Sequence, residues 1–420
     1  MRTTITWLHL SDLHACPTKT GWDASHVTKS LCDDLKELQH DHKLRPDFIF
    51  FTGDAMFGQL GDKPGLSVQD QYKAAQKFLD EVRCSFRPEL APRDIYLVPG
   101  NHDINTDDTD NTQAAWLRDP KRSLEEIVLM MQEDKAQWRR FMERLQDYKA
   151  FLKSNGYDHL LTDDKNRLIY ADAREVAGLR IGIAGLNSAW SCFGEKGEKA
   201  HLWCGGKYQV EELRPLLSKV DFSIALIHHP GNWFVEKEDP NVQRLLEATF
   251  QFVLHGHEHQ EWVKTDAKTG HTTIWAGACY DRSDHKNGFN VVQLDRKTGK
   301  GRVWLREYKE TGQGWVACNI RKFAPHGIWT LDRLEWFQTL KPALATVRRG
   351  TRARSKTEAK PTNLPKDSPT TTGRARANAK TADYERRLCE AMVRKYDYLE
   401  LFGADIPRES QRHALSVAYV

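Results

Sequence analysis

Short runs of apolar residues recur along the first two thirds of the chain, and each run ends in polar or glycine residues. Each run holds about four to eight apolar residues, many of them β-branched or aromatic. This pattern is typical of strands that are buried on both faces of a sheet. We therefore predict buried strands at residues 3–9, 47–53, 94–100, 179–187, 222–229 and 251–257.

Stretches with apolar residues at helical spacing lie between these strands, among them residues 23–42 and 68–83. Alternation of strands and helices predicts an α/β layered fold. Three further strand-like runs follow at residues 271–280, 289–296 and 301–309, with no helical pattern between them. We therefore expect the second half of the fold to be antiparallel, which gives a sandwich of two sheets.

Residues 105–155 interrupt this alternation with a helical insertion. The segment 123–152 begins with a capping box, Ser123-x-x-Glu126, and continues with apolar residues at helical spacing. We predict a helix that packs on the core. Because the insertion follows directly after the third strand and its polar loop, it is also placed to form one wall of a pocket there.

The composition changes near Thr339. Residues 339–382 are rich in Pro, Thr, Lys and Arg and nearly free of large apolar side chains, which predicts a disordered linker. Residues 383–420 regain a helical pattern and end within an apolar run, as a truncated helical adaptor would. The sequence thus predicts a folded domain at residues 1–338, a basic linker and a partial adaptor.

The net charge of +4 is unevenly distributed. Between residues 345 and 382, ten Lys or Arg and two acidic residues give a charge of +8, which leaves −4 for the rest of the chain. The eight cysteines are scattered without a C-x-x-C pair, which argues against a disulfide framework or a zinc ribbon. No apolar run approaches a membrane span and the N-terminus lacks a signal-peptide pattern, so we expect a cytoplasmic protein with no membrane partner.

Polar residues of the kinds that bind metals follow five of the predicted strands. Because the carboxyl ends of strands in an α/β sheet share one edge, we expect these side chains to meet there. An isolated histidine is usually a core or surface residue, but packing does not explain histidine, aspartate and asparagine at five strand ends. The sequence therefore predicts a metal centre formed by Asp12 and His14, Asp54, Asn101 and His102, His228 and His229, and His257 and His259.

These residues resemble the motif series of the calcineurin-like metallophosphoesterase superfamily, D-x-H, G-D, G-N-H-D, H and G-H-x-H. The resemblance spans roughly residues 5–310 and implies an αββα sandwich of two sheets with a dinuclear metal site. The series is complete and in order as Asp12-Leu13-His14, Gly53-Asp54, Gly100-Asn101-His102-Asp103, His228 and Gly256-His257-Glu258-His259.

The resemblance also implies a role for each motif residue. Asp12, His14 and His259 would bind the first metal, Asn101, His228 and His257 the second, and Asp54 would bridge both. Imidazole, carboxylate and amide ligands suit Mn²⁺, Fe²⁺ or Zn²⁺ better than Mg²⁺, and Mn²⁺ is the expected ion.

The remaining motif histidines would act on the substrate. His102 would protonate the leaving oxygen or stabilise its charge, and His229 would line the substrate pocket. Asp103 would either orient the His102 imidazole or serve as a structural carboxylate of the turn, and both alternatives stay open.

The closing segment resembles, more weakly, the adaptor that precedes the NTPase of bacterial NACHT-type proteins of the STAND class. An enzyme domain joined to such a sensor would be a nuclease effector in antiphage defence, with DNA or RNA as substrate and a C-terminal NTPase module as partner. Two alternatives remain: a phosphodiesterase for cyclic or signalling nucleotides, and a metal-binding scaffold without turnover. A complete set of ligands together with His102 makes the scaffold the weakest of the three.

Overall fold

A computed structural model describes most of the first 340 residues of the chain. The linker predicted for 339–382 and the adaptor predicted for 383–420 therefore lie outside the described residues, apart from Thr339 and Leu340. The described ranges are 2–61, 63–108, 111–119, 121–194, 197–238, 241–282, 286–312 and 314–340.

The strands of the described part form two mixed sheets. The first sheet has the order β12-β11-β10-β1-β2-β3, with β13 also paired to β11, and the second has the order β4-β5-β6-β7-β9-β8. The strands are β1 (Thr4–Leu10), β2 (Phe48–Phe51), β3 (Ile95–Leu97), β4 (Tyr170–Val176), β5 (Leu179–Gly185), β6 (Phe222–Leu226), β7 (Phe252–His255), β8 (Trp262–Thr265), β9 (Thr272–Trp275), β10 (Gly288–Asp295), β11 (Lys300–Lys309), β12 (Gly314–Ala317) and β13 (Ile328–Leu331).

Each sheet contains a run of parallel strands. In the first sheet β1, β2 and β3 are parallel, and in the second β5, β6, β7 and β9 are parallel. The expectation of an antiparallel second half is therefore wrong for the pairing of β9 with β7, although β9 is antiparallel to β8. The strands β10 and β11 are antiparallel as expected, but they extend the first sheet from β1. The six apolar runs all form strands, which confirms the two-sheet α/β sandwich.

The core between the sheets is aromatic. Trp7 of β1 and Phe252 of β7 are fully buried, and their rings meet edge to face at 5.1 Å between centroids. Phe50 of β2 lies 6.2 Å from the other side of the Trp7 ring. Burial of side chains this large contributes about 1.5–3 kcal/mol each, so the packing between the two sheets is a main source of stability.

Helices pack against this sandwich from outside. Trp315 of β12 donates a hydrogen bond of 3.1 Å to the carbonyl of Val27 on the first helix, which fixes that helix to the first sheet. The helices are α1 (Pro17–His42), α2 (Val68–Cys84), α3 (Asn111–Arg118), α4 (Leu124–Gln132), α5 (Ala136–Glu143), α6 (Gln146–Ser154), α7 (Gly206–Leu213), α8 (Val242–Thr249) and α9 (Glu335–Thr339).

The helical insertion is broken into short helices. The predicted capping box is present at the start of α4, where Ser123 accepts from the Glu126 amide and Glu126 from the Ser123 amide. The single helix expected over 123–152 is wrong, because Asp134 takes a left-handed φ of 47° and ends α4. The buried Arg144 then donates to the carbonyls of Trp190 and Cys192, which fastens the insertion to the segment after β5.

Two expectations about the environment bear on the described residues. The seven cysteines in the described ranges are free, in keeping with the absence of a disulfide pattern in the sequence. In the same ranges, no helix combines the length and the apolar character that a membrane crossing requires.

Candidate metal centre

The parallel strands of the two sheets bring the predicted ligands to one edge of the sandwich. Asp12 and His14 follow β1, Asp54 follows β2 and Asn101 follows β3, so these four belong to the first sheet. The second sheet contributes three histidines, one after β6 and two after β7: His228, His257 and His259.

Five of these residues have a left-handed backbone. The φ angles are 52° at Asp12, 48° at His14, 59° at Asp54, 70° at His257 and 50° at His259. Such angles are uncommon outside glycine and concentrate at functional sites, where the surrounding structure maintains them. Five residues with such angles at one edge of the sandwich indicate that the loop conformations serve to orient these side chains.

The first group of ligands surrounds Asp12. Its Oδ1 is buried and accepts no hydrogen bond, although Nε2 of His259 lies 3.2 Å away. Its Oδ2 accepts the His257 amide at 3.0 Å. Donor atoms of Asp12, His14 and His259 lie within 4.8 Å of one another, close enough to hold one ion. A buried oxygen that faces an imidazole nitrogen without a hydrogen bond fits two ligands of the same metal.

The second group surrounds Nε2 of His228. This nitrogen lies 3.0 Å from Oδ1 of Asn101, 3.1 Å from Nδ1 of His257 and 3.3 Å from Oδ2 of Asp54. Three potential ligand atoms around one nitrogen indicate a second position for an ion.

Asp54 belongs to both groups. Its Oδ2 is 3.3 Å from His228 and 3.6 Å from Nε2 of His14, so one oxygen reaches ligands of each position. Burial acts to raise the pKa of Asp54, but the nearby His228 and His102 hold it well below the usual range. Burial also opposes ionisation of Asp12, whose pKa is nevertheless lowered to about 2 by His259 and His228. Two buried carboxylates kept ionised suit a pair of cations.

Other residues fix the orientation of the ligand histidines. The Nδ1 atom of His14 lies 3.1 Å from the carbonyl of Tyr280, and that of His228 lies 2.6 Å from the carbonyl of Thr52. The Nδ1 of His259 is 3.5 Å from Asp281. Such partners set the tautomer and leave Nε2 for the metal. Asp281 directly follows the strand-like run 271–280, so the strand-end rule would have pointed to it, whereas Tyr280 acts through its backbone carbonyl, for which the sequence has no signal.

His102 lies beside the ligands, on the loop after β3. Its amide donates to Oδ1 of Asp54 at 2.8 Å, and its Nδ1 lies 2.5 Å from the carbonyl of Phe57. Its ring packs against that of His14 at 4.7 Å. Because a carbonyl only accepts, Nδ1 carries the proton, and Nε2 is the atom left to act on a substrate.

Asp103 holds loops together and does not orient the His102 ring. Its Oδ2 accepts the amides of Gly100 at 2.9 Å and Asp54 at 3.0 Å, and its Oδ1 accepts the amide of Ala55 at 3.2 Å. Burial and the charge of Asp54 raise the pKa of Asp103 to about 7, against the effect of these amides. These contacts favour the structural alternative for this residue, and a catalytic role stays a prediction.

The glycines of the motifs are required by close approach to the ligands. A Cβ atom on Gly100 would overlap the Asp54 carboxylate, with its Cγ only 2.8 Å away. A Cβ on Gly256 would overlap Ser11 and lie 2.7 Å from Oδ2 of Asp12. The backbone therefore lies directly against the carboxylates and leaves no room for a side chain.

We expect Gly100→Ala to weaken metal binding by roughly 10–100-fold, the usual effect of disturbing the support of a ligand. The added methyl would push the Asp54 carboxylate out of place. Titration of the metal-free protein with Mn²⁺ in a calorimeter measures the effect. Gly312→Ala is the matched control, because a Cβ there meets no atom within 4 Å. Equal affinities for the two variants would contradict the proposed role of the close approach.

His229 lies beside the potential ligands His228 and His257. It is fully buried, with Nδ1 2.9 Å from the hydroxyl of Ser188 and Nε2 3.7 Å from the thiol of Cys192. Burial and the neighbouring His257 keep its pKa well below the usual value, so the ring is neutral. Its ring packs 4.6 Å from that of His257, and the three histidines together could hold an ion, so a place lining the substrate pocket stays a prediction.

Comparison with solved structures gives distant similarities. The anchor protein GAP50 of the inner membrane complex of Plasmodium matches 81% of this chain and 96% of its own at 13% identity and a TM-score of 0.40. A 5'-nucleotidase from Candida albicans matches 69% of this chain and 47% of its own at 14% identity and a TM-score of 0.38. Vacuolar protein sorting 29 from Cryptosporidium parvum matches 74% and 94% at 12% identity and a TM-score of 0.31.

Among curated proteins, no match is found. The family model of calcineurin-like phosphoesterases matches residues 5–261, which is more than half of the chain and contains every ligand described above. With its motifs complete and their side chains gathered at one edge of the sandwich, the chain belongs to the calcineurin-like phosphoesterase family.

Proposed function

We propose that this protein is a dinuclear-metal phosphodiesterase that hydrolyses nucleic acid. The observation that carries the proposal is the position of Asp54, whose Oδ2 lies within 3.6 Å of ligand atoms from both groups. Asp54 and the histidines of both groups would hold two ions, which would supply an activated water and positive charge for the phosphoryl oxygens. The four ligands of each group, with Asp54 shared, fit ions that accept nitrogen and oxygen donors, and we propose Mn²⁺.

The residues of the chain supply the other half of the reaction. His102 is placed to transfer a proton at Nε2, because its Nδ1 is held by the carbonyl of Phe57. An imidazole that is protonated on both nitrogens in that position would give its Nε2 proton to the leaving oxygen of the cleaved ester. The Asp103 carboxylate keeps the loop that carries Asn101 and His102 against the loop of Asp54.

An open cavity beside the metal centre supports a large substrate. A cavity of about 690 Å³ begins at His14 and continues between α1 and α2. It is lined by more basic than acidic side chains, although the chain outside residues 345–382 is slightly acidic. A polyanionic strand that continues past the reacting phosphate would fit this space.

The experiment compares substrates under Mn²⁺, Fe²⁺ and Zn²⁺. Purified full chain is assayed on single-stranded DNA, plasmid DNA, RNA, cyclic dinucleotides and bis-p-nitrophenyl phosphate, with Asp54→Asn beside it to exclude contaminating nucleases. We expect cleavage of a nucleic acid to be strongest with Mn²⁺. Hydrolysis of cyclic nucleotides without cleavage of DNA or RNA would replace the proposal by the small-molecule enzyme. If none of these substrates is hydrolysed, the remaining alternative is a metal-binding scaffold without turnover.

A role in antiphage defence is a further part of this proposal. It comes from the similarity of residues 383–420 to the adaptor of NACHT-type proteins, and that segment lies outside the described residues. In that role the NTPase module would control when the nuclease acts.

A further inference from the structure

Helix α1 carries a regular row of side chains on its exposed surface. Trp22, Lys29, Lys36 and Lys43 follow one another at intervals of seven residues, and all four are exposed. Seven residues make nearly two helical turns, so the row follows one face with steps of about 10.5 Å. Lys43 caps the C-terminus of the helix. We call these four residues the α1 row.

The three lysines of the α1 row line a groove that reaches the potential ligand His14. The cavity between α1 and α2 is lined by the ligand His14 at one end and by Lys29 and Lys36 further along. A second cavity, of about 550 Å³, adjoins it, because both are lined by Lys36 and Arg87. The second cavity also reaches Lys43, so the groove follows the helix to its far end.

The groove is the basic part of a domain that is otherwise slightly acidic. Its lining includes six Lys or Arg and two acidic residues, a formal charge of +4. The two acids form exposed pairs, Asp33 with Lys36 at 2.7 Å and Glu81 with Lys77 at 3.9 Å. Exposed pairs of this kind contribute about 0–1 kcal/mol, so a phosphate can replace the carboxylate at little cost. The basic residues are Lys29, Lys36, Lys43, Arg45, Lys77 and Arg87.

Trp22 is the first residue of the row and, in the sequence, the one closest to the potential ligands Asp12 and His14. Its side chain is 73% exposed, the largest exposure among the large apolar residues described. Its ring stacks on that of His26 at 4.9 Å, with 17° between the planes, so one face is supported and the other is open. An indole held flat in this way offers a surface on which a base can stack.

We propose that single-stranded nucleic acid binds along this groove, with its phosphates on the lysines of the α1 row and a base stacked on Trp22. The inference rests on the proposed function and names the form of its substrate. The part of α1 after the kink at Gly21, residues 22–42, extends over about 31 Å, far longer than a mononucleotide. A positively charged groove with an aromatic platform is the combination that holds single strands without regard to sequence.

The test measures binding and cleavage separately. Binding of a fluorescein-labelled oligothymidylate to the full chain is followed by anisotropy in EDTA, which prevents hydrolysis, at a series of salt concentrations. The triple variant Lys29→Glu, Lys36→Glu, Lys43→Glu should bind roughly tenfold or more weakly, and its salt slope should fall by about 2, since each phosphate contact of a single strand contributes about 0.7. The matched control reverses three exposed lysines elsewhere, Lys207, Lys219 and Lys297.

Trp22→Ala separates stacking from charge. It should weaken binding by roughly fivefold or more and leave the salt slope unchanged, because stacking on an aromatic ring releases no counterions. Hydrolysis of bis-p-nitrophenyl phosphate should stay at the wild-type rate in every variant, which also shows that each variant is folded.

The possible outcomes test the proposed groove separately from the proposed nuclease activity. Equal affinity and salt slope in the triple variant and its control would overturn the groove, even if the wild type cleaves DNA. Binding that depends on the α1 row without any cleavage would support the groove and overturn the nuclease. If the triple variant lost binding to phosphatidylserine vesicles but bound oligothymidylate as the wild type does, the surface would be assigned to a membrane and the inference would be overturned.

Discussion

Replacing Asp54 by asparagine should abolish hydrolysis of every phosphodiester that the protein cleaves. The loss should reach roughly 10³-fold or more, since the charge stabilisation given by metal ions amounts to several kcal/mol. Asparagine keeps an oxygen for the His102 amide, which now donates to Oδ1 of Asp54 at 2.8 Å. It removes the negative charge between the two groups of histidines. Turnover on bis-p-nitrophenyl phosphate and metal content by mass spectrometry measure the effect.

The control for this variant is Asp332→Asn, which removes an exposed carboxylate whose partner Lys300 lies 3.4 Å away. Its turnover and metal content should match the wild type. An Asp54→Asn protein that is free of metal and still turns over at the wild-type rate would show that the chemistry does not need this centre.

His102→Gln should lower turnover by about 10²–10⁴-fold, the usual contribution of general acid-base catalysis. Unlike the change at Asp54, it should leave the metal content near that of the wild type. Glutamine keeps a polar group near the Phe57 carbonyl but cannot transfer a proton at the position of Nε2. The loss should be smaller for p-nitrophenyl esters than for nucleic acid, because p-nitrophenolate leaves readily without protonation.

His201→Gln is the matched control, because His201 is exposed and remote in the chain from the motif residues. It should behave as the wild type on all substrates. An equal loss for His102→Gln on substrates with good and poor leaving groups would argue against proton transfer, and a loss of metal would place His102 among the ligands.

The strands of the fold could be predicted where both faces are buried. Residues of β1, β2, β6 and β7 are mostly apolar and almost all buried, and each strand gave a clear signal. Strand β4 (Tyr170–Val176) contains Asp, Arg and Glu and is only partly buried, so it was missed. The pairing of β9 could not be predicted either, since parallel and antiparallel strands differ in their partners and hardly in their own residues.

The residues of the candidate site could be predicted where their side chains are of types that commonly bind metals. Histidine, aspartate and asparagine at strand ends identified the potential ligands that the structure brings together. The groups that orient them could not be found in this way, because Thr52, Phe57 and Tyr280 act through backbone carbonyls that every residue has. The same limit applies to Asp103 and His229, whose roles depend on burial and on neighbours from other loops.

The potential ligands of each ion position come from both sheets. The stability of the packing between the sheets would therefore depend on the availability of metal. Asp12, Asp54 and Asn101 extend from the first sheet, and His228, His257 and His259 from the second. An ion held between these residues would link the first sheet to the second. Since a ligand that binds only the folded chain adds stability according to its concentration, scarcity of metal would loosen this edge before the distant aromatic core. The supply of that metal would then govern both the activity of the protein and its lifetime against proteases.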